Sequence, residues 1–205
     1  MGCIYMKFVI TIGREYGSGG RFIAKLVAEK LGIAFYDSEL LIKAAKDSGI
    51  SETILKSFDE KKDSLLGAGI GAYRYDMSLS QKVFLAEFDA IRKIADTESA
   101  VIVGRCADYV LKDYPNKINI FICSTMEEKV NRAVKYYGLK PTKAVSQIEK
   151  IDKRRRSYYN YYTDNNWGKA SNYDLCINSS IGIDECVDLI CNYAKSKLKT
   201  KKVAK

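Results

Sequence analysis

The sequence predicts an α/β fold built on a parallel sheet. Short, continuously apolar runs alternate along the chain with amphipathic segments, as expected when strands are buried on both faces and helices cover the sheet. A glycine-rich segment, Gly13–Arg21, connects the first apolar run to the first amphipathic segment. The chain has 205 residues, of which 47% are apolar, and this is enough for one domain with a full core.

The first part of the chain contains two predicted strands and four predicted helices. In the helical segments apolar side chains recur at i, i+3 and i+4, whereas the strand segments are largely apolar throughout. Gly67–Gly71, between the last two helices, predicts a flexible loop. The predicted strands are Lys7–Ile12 and Ile33–Asp37, and the predicted helices are Phe22–Leu31, Ser38–Ala45, Ile50–Asp63 and Ser78–Asp96.

The second part contains three predicted strands and three predicted helices. Ser124 or Thr125 can cap the first of these helices, whose first turn carries two glutamates, where acidic side chains are favoured. Pro141 opens a long charged helix that runs into the aromatic segment Tyr158–Tyr162. The predicted strands are Ala100–Gly104, Ile118–Cys123 and Tyr173–Asn178, and the other predicted helices are Thr125–Tyr137 and Asp184 to about Lys197.

Composition excludes several classes of protein. No apolar stretch approaches the roughly 20 residues of a membrane span, and the N-terminus lacks the pattern of a signal peptide, so we expect a cytoplasmic protein with no membrane partner. The chain has no histidine and no Cys-x-x-Cys pair, which excludes a histidine base and most zinc or haem sites. Of the six cysteines, Cys123 and Cys176 are predicted to be reduced core residues.

The net charge of +9 is concentrated at the C-terminus. Six lysines occur from Lys195 onward, and without them the net charge is +3. A basic tail at 195–205 is typical of a solvated helix end, which we favour over a nucleic-acid-binding patch. Nothing in the pattern predicts an oligomeric state.

Residues with functional chemistry follow several of the predicted strands. Ligands of parallel sheets bind beyond the carboxyl ends of the strands, so the residues at those ends should lie together. The set contains an anion-binding loop, a carboxylate and an arginine, which would be unusual for a purely structural domain. Its members are Gly13–Arg21, Asp37, Arg105, Ser124 and Asn178.

The glycine-rich segment Gly13–Arg21 predicts a phosphate site. A glycine-rich turn from strand to helix presents backbone N–H groups, here those of Gly17–Arg21, at the positive end of the helix dipole. Arg14 and Arg21 flank the glycines and can add positive charge. The spacing is close to that of a P-loop, but the lysine of that motif is missing. A tight packing turn without a ligand is the alternative reading.

Two further arginine sites point to an anionic ligand. Arg105 follows a buried strand and a glycine, where a guanidinium can bind phosphate through two parallel hydrogen bonds. The run Lys153–Arg156 is rich in arginine in a chain that otherwise favours lysine, and it can neutralise charge in phosphoryl transfer as a mobile lid. The alternative is a surface network of arginines and carboxylates. Tyr158–Tyr162 and Trp167 are interpreted as packing for this lid.

Together these segments resemble the cytidylate kinase-like family of P-loop nucleoside monophosphate kinases. Each segment alone is a weak signal, but they occur in the order typical of that family and span nearly the whole chain. The matching segments are Ile10–Arg21, Phe35–Asp37, Val101–Tyr109, Asp152–Tyr162, Trp167–Gly168 and Tyr173–Asn178.

The resemblance implies a three-layer α/β/α P-loop NTPase domain over residues 1–205. It also implies a helical substrate-binding insertion at 47–97 and an arginine-rich lid at about 140–170. The implied reaction transfers the γ-phosphate of ATP, with Mg²⁺, to CMP, dCMP or a related acceptor, so the expected partners are nucleotides. A binding module for nucleic acid is the weakest alternative, because it would leave the glycine loop unexplained.

The resemblance also implies roles for individual residues, while the Mg²⁺ ligands stay unknown. Residues expected to bind ATP are Arg14, Gly17, Ser18, Gly19, Gly20 and Arg21. Residues expected to bind the acceptor are Asp37, Arg105, Arg132, Asp152 and Arg156. Residues expected to act in catalysis are Arg21, Arg154 and Arg155, with the register within Arg154–Arg156 left open.

The chain departs from the family pattern at two places. Cytidylate kinases have Gly-Lys followed by a small or hydroxyl residue where this chain has Gly20-Arg21, and the carboxylate after the Gly-Arg pair is replaced by Cys106, with Asp108 two residues later. A non-catalytic or weakly catalytic nucleotide-binding regulator on the same fold is therefore the second hypothesis.

Overall fold

A five-stranded parallel sheet forms the centre of the molecule. The computed structural model describes residues 7–47 and 73–203, with side chains throughout except at 44–47, 73–83 and 199–203. The strands are β1 (Val9–Arg14), β2 (Ala34–Tyr36), β3 (Ala100–Val103), β4 (Lys117–Cys123) and β5 (Leu175–Asn178). Their order is β2-β3-β1-β4-β5, and every neighbouring pair is parallel. The predicted α/β class with a parallel sheet is confirmed.

Seven α-helices lie within the described residues. They are α1 (Gly20–Leu31), α2 (Ser38–Asp47), α3 (Tyr73–Thr97), α4 (Ala107–Val110), α5 (Met126–Tyr137), α6 (Pro141–Tyr162) and α7 (Ile183–Val203). Two short 3-10 segments, Ala170–Asn172 and Ser179–Ile181, flank β5. The predicted helix Ile50–Asp63 and the loop Gly67–Gly71 lie outside the described residues.

Helices pack on both faces of the sheet and make three layers. On one face, Ile10 and Ile12 of β1 pack with apolar residues of α1 and α7. On the other face, Val9 and Ile102 pack with residues of α2, α3 and α4. Because both faces are covered, strand residues such as Ile12 and Ile102 are completely buried. This explains why the strands are continuous apolar runs in the sequence.

Local signals set the helix ends. Thr125, and not Ser124, caps α5, because its hydroxyl accepts a hydrogen bond from the N–H of Glu128 at 3.3 Å. α7 extends beyond the predicted end near Lys197, so the basic tail is helical up to Val203. The ammonium of Lys197 pairs with Asp174 at 2.6 Å. The insertion at 47–97 and the lid at about 140–170 stay predictions.

The prediction that Cys176 is a core residue is wrong. Cys176 is exposed, whereas Cys123 is half-buried, and both thiols are free. β5 is an edge strand whose Ile177 faces the core, and alternate residues of a strand face opposite sides. Cys176 is therefore left on the exposed side of the edge strand.

None of the helices that the structure describes is both long enough and apolar enough to span a membrane.

Candidate active site

A pocket of about 320 Å³ opens at the carboxyl ends of β1 and β3. This is where a parallel sheet of this class binds its ligands. Four arginines and four aromatic residues dominate the wall, with one carboxylate among them. The lining residues are Thr11, Ile12, Gly13, Arg14, Ser38, Gly104, Arg105, Cys106, Asp108, Arg154, Arg155, Tyr158, Tyr159, Trp167 and Tyr173.

The glycine loop reaches α1 through left-handed backbone. Gly17 and Gly19 have φ values of 76° and 77°, and Gly19 caps α1. The hydroxyl of Ser18 donates to the carbonyl of Glu15 at 2.8 Å and accepts from the N–H of Gly20 at 3.3 Å. The next N–H groups belong to the first turn of α1, which has no intrahelical acceptors for them. The loop thus has the geometry of an anion site.

Glycine is required at position 17 both by its positive φ and by the close approach of Lys129. A Cβ atom at this position would lie 2.6 Å from the carbonyl oxygen of Lys129 on α5. Gly32, at the end of α1, also has a positive φ of 64°, but nothing lies within 4 Å of its added Cβ. We expect Gly32→Ala to cost about 1–2 kcal/mol of unfolding free energy, and Gly17→Ala to cost a further ~1–3 kcal/mol.

Urea unfolding of the two variants measures this difference. Gly32→Ala is the matched control, because it introduces the same side chain at the same kind of backbone without the contact. Equal losses for both variants would contradict the close packing of α5 on the loop.

Arg14 lies where the loop meets the pocket. Its Cβ and Cγ pack against Gly20, and its guanidinium lies over Gly104. Burial, followed by the neighbouring Arg155 and Arg105, lowers the pKa of Arg14 to about 9. Within the described residues this guanidinium has no carboxylate partner in an ion pair. An anion in the pocket would supply that missing partner.

Arg105 is held on a strained turn after β3. Gly104, Arg105 and Cys106 have φ values of 73°, 55° and 54°, a conformation that costs free energy at the two residues other than glycine. The Nε of Arg105 lies 3.3 Å from Oε1 of Glu87, and its guanidinium lies 5.7 Å from the ring centre of Tyr158. Such strain is typical of a residue that is held in place for a ligand.

Glu87, on α3, is a functional candidate that the sequence analysis missed. The residue is 2% exposed, and its Oε1 has no hydrogen-bond partner besides the ion pair with Arg105. Burial raises the pKa of Glu87, while Arg105 and the Tyr158 hydroxyl oppose the shift. In the sequence, Glu87 falls at helical spacing on the same face of α3 as Phe84, Phe88 and Ile91. A charged residue on an apolar face could have identified it as a candidate. A buried glutamate is usually paired with a cation, as Glu87 is with Arg105.

A buried cluster of charges joins α5 and α6 to the glycine loop. Asp152 accepts a hydrogen bond from the N–H of Tyr16 at 2.7 Å. The ammonium of Lys129 lies 3.1 Å from Glu15 and 3.6 Å from Asp152. Burial raises the pKa of Asp152, although the N–H of Tyr16 and the nearby cations lower it in part. Lys129 and Glu15 were not singled out from the sequence, and Asp152 serves the loop here.

The three consecutive arginines of α6 have different surroundings. Arg155 donates to the carbonyl of Arg14 at 3.1 Å, pairs with Asp152 at 3.6 Å and lies 5.6 Å from the ring centre of Tyr16. Arg154 also lines the pocket and is exposed to solvent. Arg156 lies over Trp167 at 5.7 Å and is not among the lining residues. Arg154 and Arg155 therefore face the site.

Arg21 and Asp37 are bound to each other. Nε and Nη2 of Arg21 donate to one oxygen of Asp37 at 2.8 and 2.5 Å. The other oxygen accepts the N–H groups of Glu39 and Leu40 at 3.1 Å each and so caps α2. Burial opposes ionisation of Asp37, but the N–H of Leu40 and the guanidinium of Arg21 outweigh it, so the pKa is lowered. Both residues lie beside the pocket, and neither is a lining residue.

Arg132 lies behind the glycine loop. Its Nη1 donates to the carbonyl of Gly17 at 3.4 Å, and its Nη2 donates to the carbonyl of Ser179 at 3.3 Å. Ser179 in turn donates to the carbonyl of Ser18 at 2.6 Å. Arg132 thus ties the loop to the end of β5, and it is not brought to the pocket with Arg105.

Asp108 is the carboxylate of the pocket. It accepts a hydrogen bond from the hydroxyl of Tyr159 at 2.6 Å. Burial raises the pKa of Asp108, although this hydrogen bond favours the ionised form. The pKa of the neighbouring Cys106 is raised to about 12, chiefly by burial and then by Asp108. Cys106 is therefore a neutral thiol and does not replace the carboxylate that is missing from its position.

The described residues around the glycine loop do not supply the side chains of a P-loop Mg²⁺ site. P-loop kinases hold this ion with a hydroxyl at the end of the loop and a carboxylate. Here Arg21 follows Gly20 and is paired with Asp37. Within the described ranges no three cysteine, aspartate or glutamate side chains come together as metal ligands. The glycine loop does have the geometry of an anion site, and guanidinium groups line the pocket beside it.

Comparison with known proteins extends these observations. Among solved structures, an uncharacterized protein from Eubacterium ventriosum ATCC 27560 is 34% identical, with a TM-score of 0.74, over 93% of this chain and 99% of the other. A shikimate kinase from Bacteroides thetaiotaomicron has 14% identity and a TM-score of 0.55, over 92% and 98% of the two chains. A gluconokinase from Sinorhizobium meliloti 1021 has 11% identity and a TM-score of 0.56, over 96% and 97%.

The two kinases share the fold of this chain, a five-stranded parallel sheet in the order β2-β3-β1-β4-β5. No curated protein matches the chain. A family model described as the cytidylate kinase-like family matches residues 9–181. The chain therefore belongs to the cytidylate kinase-like family and has the fold of the P-loop kinases.

Proposed function

We propose that this protein is a nucleoside monophosphate kinase-like phosphotransferase, which moves the γ-phosphate of ATP to CMP, dCMP or a related phosphate acceptor. The observation that carries the proposal is the pocket lined by Arg14, Arg105, Arg154 and Arg155 beside the glycine loop at the start of α1. Four guanidinium groups around one small pocket suit a ligand with several negative charges. Membership of the family supports the same reaction class.

The reaction requires little of the protein beyond binding and charge. An oxygen of the acceptor phosphate attacks the γ-phosphorus, and the new P–O bond forms as the bond to the β,γ-bridging oxygen breaks. The electron pair of the broken bond leaves with ADP. A monophosphate is largely a dianion at pH 7, so its attacking oxygen has no proton to lose. This agrees with a site that contains no histidine base.

The guanidinium groups would act on the charge that develops on the transferring group. Arg105 suits the acceptor phosphate, because it projects from the end of β3 into the pocket. Arg154 and Arg155 enter the same pocket from α6 and suit the oxygens of the γ-phosphate. Fixed positive charges at a transition state lower the barrier without reorganisation of solvent.

An ADP-release assay with purified protein, ATP, Mg²⁺ and a panel of nucleoside monophosphates tests the proposal. We expect ADP release to increase on addition of a pyrimidine monophosphate and to stay at the background rate without an acceptor. Background rates with every monophosphate would contradict the proposed reaction.

A second candidate is a nucleotide-binding regulator with little or no turnover. Two contacts favour it: the ion pair of Arg21 with Asp37, and the hydrogen bond that the N–H of Tyr16 donates to Asp152. Each contact occupies a group of the loop that could otherwise bind a ligand. This function predicts a thermal shift with ATP that does not depend on Mg²⁺. Multiple turnovers in the ADP-release assay would exclude it.

A further inference from the structure

Arg14 and Gly20 compete for one space at the start of α1. A Cβ atom added to Gly20 would lie 2.6 Å from Cβ of Arg14 and 3.2 Å from its Cγ. Packed side chains do not approach so closely, so only one of the two positions can carry a side chain on this backbone. The positive φ angles of the loop occur at Gly17 and Gly19 and not at Gly20. Glycine at position 20 is therefore explained by Arg14.

The spacing of the loop relates these two residues to the P-loop motif. The P-loop motif G-x-x-x-x-G-K-[ST] places its lysine six residues after its first glycine. The start of α1 corrects the alignment made from the sequence, which set the Gly-Lys pair at Gly20-Arg21. When Gly19, which caps α1, is set at the second glycine, Arg14 stands at the first glycine, Gly20 at the lysine and Arg21 at the hydroxyl residue. This chain thus carries a cation where the motif has glycine, and glycine where the motif has its cation.

The side chain of Arg14 runs from the start of α1, where its Cβ and Cγ lie, to the turn after β3, where its guanidinium lies. A Cβ atom at Gly104 would overlap its Nη1, so the turn after β3 also leaves room for this group. Arg14 and Arg105 line the same pocket, and the stem of Arg14 touches the first residue of α1. A polyphosphate that extends from the start of α1 toward Arg105 would therefore pass along the side chain of Arg14 and meet its guanidinium near Gly104.

We propose that Arg14 supplies the phosphate-binding charge that P-loop kinases place on the lysine of the loop. The inference rests on the proposed function in that its ligand is a nucleoside triphosphate. A guanidinium offers five N–H donors in a fixed plane, so it can contact oxygens of two phosphates at once. Arg21, the other arginine of the loop, is already paired with Asp37.

Isothermal titration with ATP tests the contribution of Arg14. We expect Arg14→Ala to weaken ATP binding by roughly 10–100-fold, the loss of a charge-assisted contact, and Arg14→Lys to fall between it and the wild type. Lys25→Ala removes the same charge from the exposed face of α1 and should change the affinity less than about twofold. With CMP as the ligand, Arg105→Ala should lower the affinity more than Arg14→Ala does.

A reciprocal exchange of the two residues tests the competition for space. Gly20→Lys alone should lower the melting temperature, because the new lysine and Arg14 would then occupy the same space. In Arg14→Gly/Gly20→Lys the lysine has room, although Cβ of Ile122 at 3.3 Å must yield slightly. We expect the double variant to bind ATP within about tenfold of the wild type, and Arg14→Gly alone to stay weak.

The outcomes separate this inference from the proposed function. If the wild type and Arg14→Ala bind ATP equally well, Arg14 does not replace the lysine, and the proposed reaction is unaffected. If the wild type binds ATP but transfers phosphate to no acceptor, the proposed reaction fails, while the affinities still decide the role of Arg14. If the wild type does not bind ATP, both are wrong.

Discussion

Replacing Arg105 by alanine is expected to lower kcat/KM for acceptor-dependent phosphate transfer by about 10²–10³-fold. Arg105 is fixed by the strained turn Gly104–Cys106 and by its ion pair with Glu87, so its guanidinium is held before a substrate arrives. A prearranged cation loses little entropy when it binds a phosphate, and its removal should be correspondingly costly. Steady-state rates at varied acceptor concentrations measure the effect.

The control must separate catalysis from folding, because Arg105→Ala leaves the buried carboxylate of Glu87 without a partner. Combining Arg105→Ala with Glu87→Gln removes that buried charge. The double variant should recover thermal stability but not transfer. Recovery of transfer together with stability would show that Arg105 serves the fold and does not act on the acceptor.

Replacing Lys129 by alanine is expected to destabilise the protein by about 3–5 kcal/mol, the cost of removing one partner from a buried group of charges. The side chain of Lys129 is 8% exposed and lies between Glu15 and Asp152. Without it, two carboxylates face each other behind the glycine loop. The free energy of unfolding from urea titration measures the loss.

Lys25→Ala is the matched control for this stability prediction. Its ammonium lies 3.7 Å from Glu29 on the same helix, and the two side chains are 61% and 58% exposed. Solvent screens this pair, so the control should cost less than about 1 kcal/mol. Similar losses for the two variants would contradict the view that Lys129 holds α5 and α6 against the loop.

Much of the fold could be predicted because its signals are local. The apolar runs that became β1, β3 and β4 are buried on both faces, and the amphipathic period of α1 identifies its core side without knowledge of the rest. The sequence also predicted a loop from strand to helix at Gly13–Arg21 and an arginine at the end of β3. Strand ends in a parallel sheet meet at one edge, which brought these two features together.

The parts that the sequence could not predict depend on distant partners. The hydrogen bond from Tyr16 to Asp152 and the ion pair of Lys129 with Glu15 join residues more than a hundred positions apart. Arg21 was expected to bind phosphate, but no local pattern indicates its ion pair with Asp37. The competition between Arg14 and Gly20 requires the actual path of the backbone.

³¹P NMR of the purified protein with ATP, Mg²⁺ and CMP, with Arg105→Ala measured in parallel, tests the proposed phosphate transfer directly. We expect the γ-phosphate signal of ATP to be replaced by the signals of ADP and CDP over many turnovers, and Arg105→Ala to leave ATP almost unchanged. Release of inorganic phosphate without a phosphorylated acceptor, with CMP and with every other monophosphate tried, would contradict it.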